Sequence, residues 1–332
     1  MAEGAILALI VGVVFVNGWT DAPNAIACAV STGAMKYRAA AWMAGVCNLL
    51  GLLASYLAGA LVAETIFSLV DFGGNPRDAL TALSAAMISI VLFAVAAWRA
   101  GIPTSESHAL ISAVTGAALA LGAGTAGVNL PAWGKVLVGL AASLVLGYGG
   151  GWLLTRTLAS PLAALKSKSL ARTQVLAAGG MAFMHGAQDG QKFVAIFILA
   201  DIFARGRYPA GPIALADHLP VVFLCGLTMA LGTSVGGGRI VELVGYKMVR
   251  LQKPEGVCAD LGGVLCLLLA SAFGVPVSTT HTKTTAMMGA GAAAGAGRVS
   301  GKVVRDIVLT WAITFPVCGL LGWGITRLLL SI

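Results

Sequence analysis

The chain is poor in charged side chains. Only 10% of its 332 residues are Asp, Glu, Lys or Arg, whereas 58% are hydrophobic. A soluble domain carries about 25% charged residues, so this composition indicates an integral membrane protein embedded in a lipid bilayer. The net charge of +8 does not indicate nucleic-acid binding, because the basic residues fall in short loops between apolar segments, as the positive-inside rule predicts.

Cysteine is also sparse, and it lacks the spacing of a metal site. The six cysteines include no Cys-x-x-Cys pair, and most lie within apolar segments. We therefore interpret them as small core residues and exclude a disulfide framework. The N-terminus lacks a basic region and a cleavage site, so we expect a retained first helix and no signal peptide.

Long apolar segments and 44 glycines dominate what is present. Glycine at this frequency favours close helix packing and broken helices. A basic linker, Thr157–Thr173, divides the apolar segments five and five. We place them at about residues 4–33, 38–62, 79–100, 107–123, 131–156, 174–203, 212–236, 256–273, 277–296 and 303–330.

The two groups of five carry the same motifs in the same order. Asp21 in the first corresponds to Asp189 in the second, and Gly101–His108 corresponds to Gly274–His281. Matched motifs in a fixed order indicate an internal duplication. We predict one membrane domain made of two repeats, residues 1–165 and 166–332.

The distribution of basic residues predicts the orientation of the repeats. Of the 21 Lys and Arg residues, fourteen fall on one side of the segments and five on the other, and the remaining two lie within segments. The first side is therefore assigned to the cytoplasm and both termini to the outside. A repeat crosses five times, or three times if its serine-rich turn is re-entrant. Both numbers are odd, so we expect an all-α protein of about ten membrane segments in two inverted repeats.

Two serine-rich turns, Pro103–His108 and Pro276–His281, each precede an apolar helix. Hydroxyls at a helix start cap free N–H groups, and that end of the helix attracts anions. Two ordinary capped helices would have the same pattern, but its duplication favours two turns that hold one tetrahedral oxyanion between them. The candidate anion ligands are Ser105, Ser107, Ser278, Thr279 and Thr280.

Two carboxylates, Asp21 and Asp189, lie within apolar segments, where a charge costs roughly 2.5 kcal/mol or more. Each could bind a hard cation such as Na⁺, carry a proton, or pair with a lysine. Asn24 and Gln188 offer amide oxygens nearby, so Asp21 and Asn24 are the sodium ligands if sodium is the coupling ion. Glu106 is the only acid in either turn; it is a candidate proton site, or it simply faces water. Glycines and a proline near both aspartates predict broken helices there.

Lys192 stands where the first repeat has Asn24, three residues after Asp189. We predict that its ammonium acts as a built-in cation beside Asp189 and contacts the anion. The alternative is a lysine that extends to the membrane interface. The predicted supporting residues are Thr20, His108, His281 and Gln191.

Together these motifs resemble those of the inorganic phosphate transporter family, of the PiT or PHO4 type. The second turn matches the family pattern Pro-x-Ser-Thr-Thr-His in full, and the first is similar with Ser105, Glu106 and Ser107. The signature Gly-x-Asn-Asp-x-x-Asn is met at Asp21 and Asn24.

Two positions differ from that signature. Thr20 replaces the first Asn, and Gln188 replaces an Asn in His185–Lys192, which otherwise resembles the bacterial form His-Gly-x-Asn-Asp-Gly-Gln-Lys. The resemblance covers residues from about 10 to 300, in order.

The resemblance implies inverted repeats, a central anion site and a homodimer in the cell membrane. It implies symport of inorganic phosphate with H⁺ or Na⁺ and no cofactor. Sulfate is the alternative substrate, because some members of the family are sulfate permeases.

Two other classes of protein compete with this interpretation. Gly232–Gly236 fits the Gly-x-Ser-x-Gly pattern of a serine protease, but such a match is expected by chance in a glycine-rich chain and leaves both aspartates unexplained. A passive anion channel is the second. Two buried acids would oppose anion flow through a channel unless a cation travels too, so we expect a transporter that is not an enzyme.

Overall fold

The chain folds into helices packed against one another. A computed structural model describes residues 3–121, 124–209, 218–235 and 237–332. Within these ranges the backbone forms no named strand, and two isolated antiparallel bridges join Val70 to Val128 and Val249 to Val299. The predicted all-α class is confirmed.

The described helices follow one another in this order: α1 Glu3–Thr20, α2 Ala27–Ser31, α3 Tyr37–Leu57, α4 Leu61–Phe67, α5 Pro76–Arg99, α6 Glu106–Leu119, α7 Leu130–Ala163, α8 Ser167–Ala204, α9 Leu219–Ser234, α10 Gly238–Glu242, α11 Lys253–Ala272, α12 Thr279–Ala294 and α13 Gly301–Leu330. Short 3-10 segments lie at Ala22–Ile26 and Gly124–Gly127, and a π-helical segment lies at Leu243–Met248.

Six stretches in the described part of the chain are long and apolar enough to cross a membrane, and a seventh is added if α9 and Gly238–Met248 form one broken span. The protein is therefore a multi-pass helical membrane protein. The six are Ile6–Ser31, Tyr37–Leu57, Pro76–Arg99, Leu130–Ala163, Lys253–Ala272 and Gly301–Leu330.

The helices differ from the ten predicted segments at the serine-rich turns. α6 has 14 residues and α12 has 16, so they are about 21 and 24 Å long at 1.5 Å per residue. A hydrocarbon core is about 30 Å thick. In place of two of the predicted spans, α6 and α12 are thus short helices that begin inside the protein. The basic linker is also largely helical, since α7 ends at Ala163 and α8 begins at Ser167.

The predicted helix break occurs in only one of the two repeats. α1 ends at Thr20 and a 3-10 segment follows Asp21. α8, in contrast, continues through Asp189 as one helix of 38 residues, so the second predicted break is wrong. Pro23 accounts for the difference. Proline removes a backbone N–H donor and so interrupts a helix, and α8 contains no proline.

Glycines bring the backbones together where the two aspartates lie. A Cβ added at Gly18 would lie 2.2 Å from the Met229 carbonyl oxygen, and one added at Gly186 would lie 2.1 Å from the Asn48 carbonyl oxygen. Hence α1 packs on α9 and α8 packs on α3 at backbone contact.

The last long helix of each half packs against the other half. α7 contacts α11 and α12, whereas α13 contacts α5 and α6. The hairpin that carries each serine-rich turn is therefore supported by a helix from the opposite half.

Candidate functional site

The two serine-rich turns meet. Ser105 Oγ and Ser278 Oγ are 2.8 Å apart and both side chains are fully buried. Each hydroxyl also caps its own helix, since Ser105 Oγ accepts from the His108 N–H at 3.3 Å and Ser278 Oγ from the His281 N–H at 3.1 Å. The N-terminal ends of α6 and α12 are thus directed toward one another, each with the positive end of its helix dipole at the junction.

The second turn also contacts both aspartates. Thr280 Oγ1 donates to Asp21 Oδ1, and Thr279 Oγ1 donates to Asp189 Oδ2 at 3.2 Å. Ligand atoms of Asp21, Asp189 and His185 all lie within 4.8 Å of one another, and all three residues are buried. The structure therefore brings the aspartates of both halves into one cluster around the start of α12.

Oxygen atoms without partners lie beside Asp21. Asn24 Nδ2 donates to the Asp21 carbonyl at 2.9 Å and to Asp21 Oδ1 at 3.1 Å. Asn24 Oδ1 and Asp21 Oδ2 are both buried and accept no hydrogen bond from the described residues. Buried acceptors are normally satisfied, and carboxylate and amide oxygens are the ligands of hard cations. These two atoms could hold a Na⁺ ion.

Lys192 lies inside the cluster. Its Nζ is 2.6 Å from Asp189 Oδ1, 2.6 Å from Ser107 Oγ and 2.7 Å from the Val277 carbonyl oxygen. An ammonium has three donors, and all three are used here. Because the residue is 1% exposed, the alternative of a lysine at the membrane interface is wrong.

Glu106 forms a separate acidic position at the start of α6. Its Oε1 accepts from Thr20 Oγ1 at 2.9 Å and from Thr104 Oγ1 at 3.3 Å. Its Oε2 is buried without a partner among the described residues. Thr20, which replaces an asparagine of the family signature, therefore holds this carboxyl.

The two histidines of the turns lie behind the cluster. Their rings contact each other edge to face, with centroids 4.3 Å apart, and the His281 ring lies 3.8 Å from Trp311. The ring nitrogens of His108 and His281 have no hydrogen-bond partner in the described part of the chain. Packing of the turns is their visible role.

Two predicted glutamines are turned toward neighbouring elements. Gln188 Nε2 donates to Ser271 Oγ at 2.9 Å, and Gln191 Oε1 accepts from the Val62 N–H at 3.1 Å. Gln188 therefore anchors α8 to α11, while Gln191 caps the start of α4. The described hydrogen bonds join neither side chain to Asp21 or Asp189.

Three residues that sequence reasoning missed lie around Asp189. Asn17 Nδ2 donates to Asp189 Oδ2 at 3.3 Å, and His185 Nε2 lies 3.5 Å from the same oxygen. His185 Nδ1 is 3.1 Å from Asn48 Oδ1. Asn17 lies four residues before Asp21, and His185 lies four residues before Asp189. Their equivalent positions in the two repeats could have indicated both residues. The sequence signal for Asn48 was limited to the presence of a polar residue within an apolar segment.

A comparison with family models decides the classification. The model of the phosphate transporter family matches residues 17–169 and 158–322. The chain belongs to this family. The resemblance drawn from the motifs is confirmed.

Curated members of the phosphate transporter family are similar along most of the chain. A protein of Bacillus subtilis (strain 168) named "Probable low-affinity inorganic phosphate transporter" is 33% identical over 312 residues, which cover 93% of this chain and 91% of that protein. A protein of the same name from Rhizobium meliloti (strain 1021) is 32% identical over 323 residues, with coverages of 93% and 90%.

A solved structure shares the fold of this chain. It is titled "The sodium-dependent phosphate transporter" and matches with a TM-score of 0.86 at 21% sequence identity. The match covers 99% of this chain and 100% of that chain. Agreement over the whole length shows a common helical architecture.

The geometry gives no support to a protease. Ser234 Oγ donates to the Leu231 carbonyl of its own helix at 2.7 Å. None of the described hydrogen bonds joins Ser234 to His281, the histidine expected as its base.

Proposed function

We propose that this protein is a secondary active transporter that carries inorganic phosphate together with a cation, H⁺ or Na⁺. The observation that carries the proposal is the contact between Ser105 and Ser278, 2.8 Å apart, beside a buried pair of aspartates. Membership of the phosphate transporter family and the names of its curated relatives favour phosphate over sulfate.

The anion site is proposed between the starts of α6 and α12. The first N–H groups of a helix have no partner inside the helix, and two such ends converge here. A phosphate would replace the bond between the two serine hydroxyls and accept from them, and Lys192 would provide a positive charge at its rim. The proposed ligands are Ser105, Ser107, Ser278, Thr279, Thr280 and Lys192.

The cation is proposed to bind beside Asp21. The unpartnered oxygens of Asp21 and Asn24 suit Na⁺. In the other half, the Lys192 ammonium already neutralises Asp189 at 2.6 Å. A charge supplied by the chain leaves that half with less need for an external ion, so the two halves differ in coupling.

Glu106 is the proposed proton carrier if H⁺ is the coupling ion. Its buried carboxyl has hydroxyl partners only, and the described salt bridges include none to it. Thr20 links it to the end of α1, next to Asp21. The proton would then bind at Glu106, the residue next to the proposed phosphate ligand Ser105.

The membrane arrangement is proposed as two inverted repeats, residues 1–165 and 166–332, in the cell membrane with both termini outside. The exchange of α7 and α13 between halves supports a symmetric duplication. The excess of basic residues on one side supports the orientation. A homodimer remains part of the proposal, as the family resemblance implies.

Uptake of labelled phosphate into proteoliposomes tests the function. Separate Na⁺ and H⁺ gradients are imposed, and sulfate is added as competitor. We expect accumulation above the external concentration with one of the two gradients, and little inhibition by sulfate. Sulfate transport would favour a sulfate permease, and equilibration independent of both gradients would favour a passive channel.

A further inference from the structure

A second buried ion pair lies outside the proposed anion site. Asp260 on α11 pairs with Lys283 on α12, and both side chains are fully buried. Gln174 Nε2 on α8 donates to Asp260 Oδ2 at 2.5 Å, and Lys283 Nζ lies 3.1 Å from Cys28 Sγ on α2. The pair therefore joins four helices.

The first half of the chain has apolar residues at the matching positions. The register that aligns Gly101 with Gly274 pairs Asp260 with Met87 and Lys283 with Leu110. Met87 and Leu110 are buried in one hydrophobic cluster. Replacing a buried ion pair by packed apolar residues is often neutral or stabilising. The matching positions of the first half are thus packed without charge, so packing alone does not explain the ion pair.

The pair lies on one side of the aspartate cluster. Lys283 follows Thr280, the partner of Asp21, by three residues, less than one turn of α12. Asp260 is seven residues from the start of α11, whose first residue is Lys253. That end of α11 belongs to the basic side of the protein, which the positive-inside rule assigns to the cytoplasm. The ion pair thus stands between the anion site and the cytoplasmic face.

Two further polar atoms near this level are unpaired. Gln174 Oε1 and Thr284 Oγ1 are buried and have no hydrogen-bond partner in the described part of the chain. Gln174 bonds directly to Asp260, and Thr284 follows Lys283 in α12. Buried polar groups without partners call for an explanation such as a ligand in another state of the protein.

We propose that Lys283 is a second contact for the oxyanion, used on the cytoplasmic route between the serine-rich turns and the cytoplasm. The inference rests on the proposed phosphate transport. Asp260 is the counter-ion of Lys283 while the route is closed. When α11 and α12 separate, the ammonium exchanges this carboxylate for the anion. A tetrahedral oxyanion can accept from the three ammonium donors and from a threonine hydroxyl.

The double variant Asp260→Met/Lys283→Leu tests this, because it gives the second half the residues of the first. We expect a folded protein that binds phosphate within about threefold of the parent, since the substitutions avoid the serine-rich turns. Uptake should fall at least tenfold, because an anion crossing an apolar constriction loses its stabilising charge. Met87→Leu/Leu110→Met is the matched control and should transport normally. Parental uptake in the first double variant would show that the pair is only structural.

A single substitution gives a second test that does not remove the lysine. Asp260→Asn leaves Lys283 without its carboxylate, so the anion meets less competition there. We expect the phosphate concentration for half-maximal exchange to fall at least threefold at the cytoplasmic face and to stay unchanged at the outer face. Oriented proteoliposomes measure both, with Asp201→Asn at an exposed ion pair as control.

An unchanged value at both faces, or an equal shift at both, would overturn the inference. Failure of the proposed function is a different result, in which the parent protein itself transports no phosphate. If the parent protein transports phosphate and both variants behave like the parent, the role of Lys283 is refuted and the proposed function is not.

Discussion

At the residue scale, the two halves treat their aspartates differently. Asp189 bonds to an ammonium from its own helix, Lys192, at 2.6 Å. Asp21 bonds to an amide, Asn24, and to the Thr280 hydroxyl. A carboxylate with a full positive partner is already neutralised, whereas one with neutral donors still carries its charge into a buried setting. Under the proposed function, the residue three positions after each aspartate, Asn24 or Lys192, determines which half needs an ion from outside.

Lys192→Asn tests this asymmetry. The variant gives the second half the amide of the first, so we expect a folded protein with weaker phosphate binding and a new or steeper dependence on Na⁺. Phosphate binding and uptake are measured over a series of Na⁺ concentrations. Lys302→Asn, at an exposed position on α13, is the control. Ion dependence identical to that of the parent would restrict Lys192 to a structural role.

Thr280→Val tests the anion site at nearly constant volume. The change removes a hydroxyl that bonds to Asp21 and is a proposed phosphate ligand. Loss of a hydrogen bond to a charged group costs roughly 1.5–3 kcal/mol, which is about tenfold or more in phosphate affinity. Calorimetric titration measures it. Thr115→Val, where the hydroxyl bonds only within α6, should bind phosphate as the parent does.

Asp21→Asn tests coupling. The substitution keeps the shape of the side chain and removes the charge that attracts a cation, so uphill accumulation of phosphate should disappear while the thermal unfolding midpoint changes little. Asp189→Asn should also abolish it, and should in addition lower stability because Lys192 loses its buried partner. Full accumulation by Asp21→Asn would refute its coupling role.

At the element scale, short helices and backbone contacts set the position of the site. α6 and α12 begin at hydroxyl caps inside the protein, and they are too short to cross a membrane. α1 and α8 reach the same level because glycines let them contact α9 and α3. A shift of either contact would separate the aspartates from the turns.

Gly18→Ala is expected to disturb this contact. The added Cβ would lie 2.2 Å from the Met229 carbonyl oxygen, and overpacking of this kind costs typically about 1–3 kcal/mol. Gly12→Ala on the same helix meets no atom within 4 Å and should be neutral or slightly stabilising, since alanine favours the helix. Thermal unfolding midpoints compare the two variants. Equal midpoints would mean that α1 and α9 separate more easily than the geometry indicates.

At the scale of the whole molecule, each half is completed by the other. α7 supports the hairpin of α11 and α12, and α13 supports that of α5 and α6. Each serine-rich turn therefore lies on a hairpin that packs against both halves. Such packing suits the proposed transport, in which a central site opens alternately to each side of the membrane.

The orientation in the membrane is tested by labelling of introduced cysteines. Ser331→Cys, at the exposed residue that follows α13, should react with a membrane-impermeant maleimide in intact cells, because both termini are expected outside. Lys168→Cys, near the start of α8, should react only after permeabilisation. The parent protein, whose cysteines are buried or half-buried, is the control. The reverse pattern would invert the proposed topology.

The sequence by itself determined the class of the protein and the elements of its site. The scarcity of charged residues indicated a membrane environment. The duplicated turns indicated capped helix starts, because a cap depends on residues within three positions of one another. The family, and most residues of the proposed site, followed from the same local motifs. These properties need no knowledge of which segments touch.

Only the tertiary structure decided which atoms meet. Ser105 and Ser278 are 173 residues apart, so their contact depends on how the two halves pack and not on local sequence. The burial of Lys192 and the pairing of Asp260 with Lys283 follow from the same packing. A charged side chain in an apolar segment can extend to the membrane interface or pair with a buried partner. The surrounding helices determine which of these happens, because a buried charge without a partner is costly.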